Sequence, residues 1–313
     1  MIKNKKIVVT GGAGFIGSNL TRNLAEDNDI VVIDDLSTGY LSNIQDLIDN
    51  KSIIFVKGSI TDLKLLKKSF KNKDFVFHQA AITSVPRSMR DPLQSNLINI
   101  DGTLNVLIAA KENCVKKVVY ASSSSVYGDT QTLPIKEDLI PAPLSAYGVS
   151  KLTGEYYCHV FTAVYNLPTV SLRYFNVYGP YQDPNGEYAA VIPKFINLVL
   201  KNKPPVIFGN GLQTRDFTYI QDVVNANILA MESKAIGVFN AASGKQITIN
   251  QLAKIITEKM GKDLEPIYKN PRAGDIKHSF ADISKANKKI AYIPSFDIKN
   301  GLTKTIKWFQ REA

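Results

Sequence analysis

A chain of 313 residues, 44% hydrophobic and 21% charged, holds enough apolar material for one large core and a smaller second one, which excludes a disordered or fibrous protein. Two cysteines, Cys114 and Cys158, form neither a disulfide framework nor a metal pattern, and the three histidines lack metal spacing, so a reducing compartment and no metal are expected. The net charge of +10 comes from lysines scattered without an aromatic–basic array, which suits attraction of a small anion or solubility and not a nucleic-acid face.

Lys6–Thr10 (KIVVT) reads as a short buried strand that hands over to GGAGFIG, where Gly11, Gly14 and Gly17 stand three residues apart. From there Phe15, Ile16, Leu20 and Leu24 recur at helical spacing, so a helix begins inside the glycine stretch. Its unpaired N–H groups and partial positive charge suit a pyrophosphate, and glycine lets that group approach. A glycine triplet alone fits an unliganded strand-to-helix turn equally well. The chain order decides between the two.

Strands are expected at Ile30–Asp35, Ser52–Gly58, from Asp74 (DFVFHQAA), from Lys116 (KKVVYASS) and from Thr169 (TVSLRYFN). Helical patterns at Asp62–Phe70, Pro92–Lys111 and Ser145–Asn166 separate them. The alternation predicts an α/β fold with a doubly wound, Rossmann-type parallel sheet. No apolar stretch approaches the roughly 20 residues of a membrane span. The early first strand leaves no place for a secretory signal, so a cytoplasmic location is expected. Past Asn176 the chain turns glycine- and proline-rich, with shorter helices at Ala190–Lys201, Gln221–Ser233, Ile249–Met260 and Leu302–Arg311. This reads as a large domain over 1–177 and a smaller α/β substrate-binding lobe over 178–313, with TRDFTYI and NAASG returning to the large domain.

In such a sheet the ligand lies at the carboxyl ends of the strands. Gly11–Gly17, Asp34, Gly58, Ala80–Ala81 and Ser122–Ser125 all fall there, which points to a dinucleotide. Asp34, about twenty residues beyond the first glycine, suits adenosine ribose hydroxyls and repels a 2′-phosphate. The following Ser37, Thr38 and Gly39 offer no arginine, so NAD is expected over NADP, with Asp35 as a local cap.

Two stretches carry the chemistry: YASSSSVYG (Tyr120–Gly128) and SAYGVSK (Ser145–Lys151). Tyr147 and Lys151 lie four apart and share a helix face. A phenol near pKa 10 becomes a base at neutral pH only with roughly 4 kcal/mol of differential stabilisation, which the ammonium and a positive nicotinamide can supply.

Together TGGAGFIG, HQAA, SSSSVYG, YGVSK, LRYFNVYGP, TRDF and PRAGD resemble the extended short-chain dehydrogenase/reductase family, and within it the nucleotide-sugar 4-epimerases (UDP-glucose and UDP-N-acetylglucosamine 4-epimerases), over essentially the whole chain. The resemblance implies that Ser123 bonds the sugar 4-hydroxyl, Tyr147 is the base, and Lys151 is its electrostatic partner and holds the nicotinamide ribose. It places Phe15, Ile16, Ile60, Gln79, Ala80, Ala81, Thr83, Asn99, Ser122, Tyr174 and Phe175 at the cofactor. Asn176, Arg215, Arg272 and Asp275 would take the diphosphate and nucleoside ribose. Val191, Lys194, Ile207 and Phe208 would surround a uracil.

Where many relatives have an aspartate this chain has Ser59, which puts the polar adenine contact in doubt. Dehydratases and decarboxylases of the family place acids after the catalytic hydroxyl residue, whereas Ser124 and Ser125 stand here. That favours an epimerase over a lyase on a related sugar nucleotide, and an intact Ser123/Tyr147/Lys151 set disfavours a mere NAD sensor. Ser279 and Ala190, small where a wall of the sugar pocket is implied, leave space for an acetamido group, with Thr83, Ser84 and Arg87 also matching relatives that prefer N-acetylated sugars. Arg87 alternatively suits a uronate carboxylate, which keeps a UDP-glucuronate epimerase open. Finally, the apolar residues of Pro92–Lys111 (Leu97, Leu104, Leu107, Ile108) and Ser145–Asn166 (Tyr156, Val160, Phe161, Val164) are compatible with the homodimeric four-helix bundle that relatives form.

Overall fold

A computed structural model describes residues 2–185, 190–271 and 276–312. Seven parallel strands form the main sheet, in the order β11-β6-β5-β4-β1-β2-β3. They are β1 (Lys6–Thr10), β2 (Asp29–Asp34), β3 (Ile53–Lys57), β4 (Phe75–His78), β5 (Lys117–Ser123), β6 (Thr169–Tyr174) and β11 (Gly237–Ala241). Their near-continuous apolar runs fit strands covered on both faces. β5 and β6 are buried throughout. On one face lie α1 (Phe15–Leu24) and α9 (Ile220–Glu232). On the other lie α3 (Leu63–Ser69), α6 (Gly102–Glu112) and α7 (Ala146–Tyr165), whose core includes Leu66, Phe70, Val106 and Phe161.

The helix expected over Pro92–Lys111 is interrupted. It runs as α5 (Pro92–Asn96), a π-helical turn (Leu97–Asp101) and α6. Gly102 ends the wide turn, where a Cβ would stand 2.6 Å from the Ile60 side chain. Short helices α2 (Gln45–Asp49), α4 (Val85–Arg90) and α11 (Ser284–Ile290) were not legible beforehand, because each spans two turns or fewer and shows no period.

Beyond β6 the chain passes through β7 (Val177–Tyr178), which pairs with β10 (Thr218–Tyr219). The segment after Phe217 returns to the large sheet as α9, and Asn240–Ala241 ends its outermost strand, β11. The remaining lobe holds α8 (Val191–Leu200), α10 (Ile249–Lys259), α12 (Ile298–Glu312) and short pairings. β13 (Ile267–Lys269) lies beside β8 (Val206–Phe208). β9 (Thr214–Arg215) lies between β12 (Ile247–Thr248) and β14 (His278–Ser279). Asp216 fastens these pieces. Its carboxylate accepts from Ser243 N and Oγ, Gly244 N and Ala281 N, and burial pushes it up to about 6.

Candidate active site

The glycine turn comes first. Gly11 has φ +71° and its amide donates to Ile33 O. A Cβ there would stand 2.6 Å from the Ala80 backbone, and one on Gly17 would stand 2.0 Å from Gly11 O. The turn is therefore folded back on its own helix as tightly as backbone allows. Gly14 opens α1 with no side-chain cap, so the first amides of the helix face the cleft with its fixed positive end. A cleft of about 520 Å³ runs from Gly14–Gly17 past Asp34 and Ala80–Thr83 to Ser123, Tyr147 and Lys151. Its uncapped donors, bare glycine wall and single buried carboxylate fit a dinucleotide.

Asp34 is held ready. One oxygen accepts from Ala13 N at 2.9 Å and the other from Leu36 N at 2.8 Å. Burial raises its carboxyl above the usual range, while the two amides oppose that. Asp35, Ser37, Thr38, Ile60, Gln79, Ala81, Ser84 and Tyr174 also line the cleft.

Several expected cofactor contacts stand elsewhere. Ser59 does not line the cleft: its hydroxyl accepts from Thr61, and Gly58 and Ile60 form the wall. Gly39 packs on Ala13, where a Cβ would meet the backbone at 2.9 Å. Phe175 is fully buried in a core against Tyr127. Asn99 is also buried, exchanging hydrogen bonds with the Ile82 backbone and donating to Ser150 Oγ. It acts on the cleft through Ile82 and α7. The family resemblance names these residues but not the depth at which each sits.

Ser145 caps α7, accepting from Gly148 N at 3.0 Å, and the helix presents Tyr147 and Lys151 to the end of β5. Ser123 ends β5 in the wall of the same cleft as Tyr147, and its hydroxyl donates to Ser125 Oγ at 3.1 Å. Its Oγ also accepts from Ser125 N at 3.1 Å, capping the turn Ser124–Val126. Lys151 Nζ donates to Ala121 O at 2.8 Å and lies 5.9 Å from the Tyr147 ring centre. The chain's own groups do not lower the phenol as the spacing suggested. Burial pushes Tyr147 up to about 12, against the nearby Ser123 hydroxyl, and takes Lys151 down to about 7. Desolvation outweighs an ammonium that is engaged with a carbonyl.

His78 is not part of this chemistry. It is fully buried between Thr10 Oγ1 at 2.7 Å and Thr103 Oγ1 at 3.0 Å, and burial takes it down to about 3. Because Thr103 donates to Asn99 O, the ring is the neutral tautomer that donates from Nε2 and accepts at Nδ1.

Two further cavities meet this cleft at Asn176, which lines all three. The first, about 290 Å³, is walled by Ala190, Val191, Ile207, Phe208 and Arg215, with Gln213 and Phe217 added by the fold. Lys194 is not among its lining residues. The second, about 220 Å³, joins Ser124, Ser125, Arg215 and Ser279 to Gly128, Ile135 and His278. Arg87 does not line any of the three; its guanidinium donates to Gln94 Oε1 at 2.9 Å. Arg272 and Asp275 lie outside the described residues. Gln213 directly precedes the TRDF stretch, which is the sequence signal for it. Gly128 closes the SSSSVYG stretch, whereas His278 carries no such signal.

Among the described residues no helix is long and apolar enough to cross a membrane, and no group of acidic, histidine or cysteine side chains could hold a metal.

Comparison with known proteins agrees with this geometry. The sequence model for the NAD dependent epimerase/dehydratase family matches residues 7–242. A putative UDP-glucose 4-epimerase of Methanocaldococcus jannaschii is 41% identical, over 97% of this chain and 98% of its own. A UDP-N-acetylglucosamine 4-epimerase from Methanobrevibacter ruminantium, solved in complex with UDP-N-acetylmuramic acid, superposes with a TM-score of 0.97 at 45% identity, covering 100% of both chains. A UDP-glucuronic acid 4-epimerase from Bacillus cereus, solved with UDP-glucuronic acid and NAD, superposes with a TM-score of 0.91 at 36% identity, covering 98% of this chain and 100% of that one. The chain belongs to the NAD dependent epimerase/dehydratase family.

Proposed function

We propose that this protein is an NAD-dependent UDP-sugar 4-epimerase that interconverts UDP-GlcNAc and UDP-GalNAc as well as UDP-Glc and UDP-Gal. The observation that carries the reading is the meeting of three cavities at Asn176, with Ser124 and Ser125 shared by the cleft and the small chamber and with Ser123 and Tyr147 in the cleft wall. A dinucleotide cleft that holds the base, an apolar chamber with an arginine for a nucleoside diphosphate, and a small polar chamber converge at Asn176.

When bound, NAD supplies reversible hydride exchange with the sugar C4 and a positive nicotinamide beside Tyr147. Gly14–Gly17 and the start of α1 would hold the pyrophosphate, and Asp34 the adenosine ribose. Tyr147 takes the proton from the 4-hydroxyl, and Ser123, in the same cleft wall, steadies the same oxygen. Lys151 turns its positive charge toward the phenolate. Arg215 anchors the diphosphate while the 4-keto sugar turns its other face, and Tyr147 returns the proton. Ser124 and Ser125 stand where elimination would need an acid, so the sugar is not dehydrated.

Ser279, only 8% exposed in the small chamber, supports acceptance of an acetamido group. The protein is read as a homodimer. Leu97, Tyr156, Val160 and Val164 are exposed on adjacent helices, together with Leu93 at 82%, whereas Leu107 and Phe161 belong to the core. A second copy of this face would form a four-helix bundle, and sedimentation as a monomer at micromolar concentration would refute it.

The functional test is a panel of UDP-Glc, UDP-Gal, UDP-GlcNAc, UDP-GalNAc and UDP-glucuronate assayed for inversion at C4 without added NAD. Inversion of the neutral pairs is expected. Turnover of UDP-glucuronate alone would replace this reading with the uronate one, and loss of CO2 or water would replace it with a lyase.

A further inference from the structure

The catalytic helix is fastened at several points. Tyr147 N donates to Ser88 Oγ at 3.0 Å, Ser150 Oγ accepts from Asn99, and Lys151 Nζ donates to Ala121 O. One turn beyond Lys151 comes a fastening of another kind. Glu155 is 4% exposed, and its carboxylate takes Arg173 Nε at 2.8 Å and Arg173 Nη2 at 2.6 Å. The same carboxylate accepts the hydroxyl hydrogen of Ser122. Arg173 is 3% exposed and lies over the Tyr127 ring at 4.5 Å.

Stability alone does not account for this pair. An enclosed ion pair loses its hydration, and well-packed apolar residues of equal volume commonly replace one at no cost or with a gain. What such residues cannot do is fix direction. Glu155 belongs to α7, Ser122 to β5 and Arg173 to β6, so one carboxylate ties together three elements. α7 carries Tyr147 and Lys151, the residue after Ser122 is Ser123, and β6 leads into Tyr174 and Asn176. A slip of α7 along β5 would part Tyr147 from Ser123 while leaving the apolar packing serviceable. The third guanidinium nitrogen, Nη1, has no hydrogen-bond partner among the described residues, so Arg173 meets Glu155 through the two nitrogens that define one orientation.

We propose that Glu155, with Arg173, is the positioning residue of this active site: the pair sets the register of the catalytic helix against the Ser122–Ser123 strand end. The proposal rests on the epimerase reading for its kinetic arm only. Misplacement by about 1 Å costs a rate of order 100-fold without weakening ground-state binding, which separates this role from simple support of the fold.

The test uses the double variant Glu155→Leu/Arg173→Met, which removes both charges and keeps the volume. The expected result is a folded enzyme that melts near the parent temperature, with kcat reduced about 10- to 100-fold and KM within about threefold of the parent. Amide hydrogen exchange at 122–125 and 147–151 should accelerate relative to the rest of the chain. Parent-like kcat and exchange would overturn the proposal, as would a kcat loss that merely follows the folded fraction. If the double variant does not fold, Glu155→Asp keeps the charge and shortens the reach by one methylene, and the same split between kcat and KM decides. If the parent turns over no UDP-sugar, the functional reading fails, and the exchange measurement still judges the positioning role.

Discussion

The cofactor cleft and the two chambers opposite it are built differently. In the cleft the fixed points are backbone: the folded-back glycine turn, the first amides of α1, and Asp34 clamped by the amides of Ala13 and Leu36. Opposite, they are side chains on two-residue strands brought together from positions 214–215, 247–248 and 278–279 and fastened by Asp216. Backbone geometry leaves little freedom of residue choice and suits a cofactor common to every turnover. Side chains on short strands can be exchanged one at a time, which suits the part of the ligand that varies from one relative to the next.

Tyr147 stands in the cleft wall with Ser123 and Lys151, and removing its hydroxyl should have the largest effect. Tyr147→Phe is expected to lower kcat by about 100- to 10,000-fold, with NAD still retained on gel filtration. Retained activity would move the base to another residue.

Next comes the backbone half. Gly17→Ala drives a Cβ to 2.0 Å from Gly11 O, an atom that cannot swing away. Overpacking of this kind costs about 1–3 kcal/mol, so both the urea midpoint and NAD retention should fall. Unchanged retention would show that the turn has slack which the geometry denies.

The side-chain half should respond selectively. Ser279→Tyr is expected to suppress turnover of the N-acetylated pair by about 10- to 100-fold while sparing the plain sugars, with the urea midpoint nearly unmoved. Equal loss of both activities would mean that Ser279 is not a wall of the sugar chamber.

The same contrast explains what could be read in the sequence. Strands β1 to β6 and the glycine turn follow from period, β-branched runs and glycine placement, since each is a local pattern with a local cause. Tyr147 and Lys151 were legible because four residues on a helix is also local. Depth was not. Phe175 and Asn99 sit one layer behind the cleft, and Ser59 turns to Thr61, because only the packing of the π-helical turn and β11 determines which face each residue shows. The small chamber was hidden for a related reason. Gly128 lies outside any strand, Ile135 enters through a single bridge to Ala281 and His278 on a two-residue strand, none of which leaves a periodic trace.

The smallest effect concerns the layer beneath the cleft. His78 has a folded-state value of about 3 against about 6.5 when unfolded, so the unfolded chain binds the extra proton. Its contribution to stability is therefore present above about pH 6.5 and is lost as the pH falls toward 3, by up to about 1.4 kcal/mol per unit. Urea midpoints at pH 7 and pH 5 should differ in that direction, and His78→Gln should flatten the slope. An equal slope in the variant would assign the acid sensitivity to other groups.

The central claim is that Tyr147 moves only a proton while the C4 hydrogen leaves and returns as hydride inside one closed site. It is tested most directly by incubating the purified protein with UDP-GalNAc in D2O, without added NAD, and following C4 by proton NMR. The account predicts that UDP-GlcNAc appears, that the C4 position keeps its protium in both epimers, and that no NADH accumulates in proportion to sugar. Deuterium at C4, or NADH formed mole for mole with substrate, would contradict it.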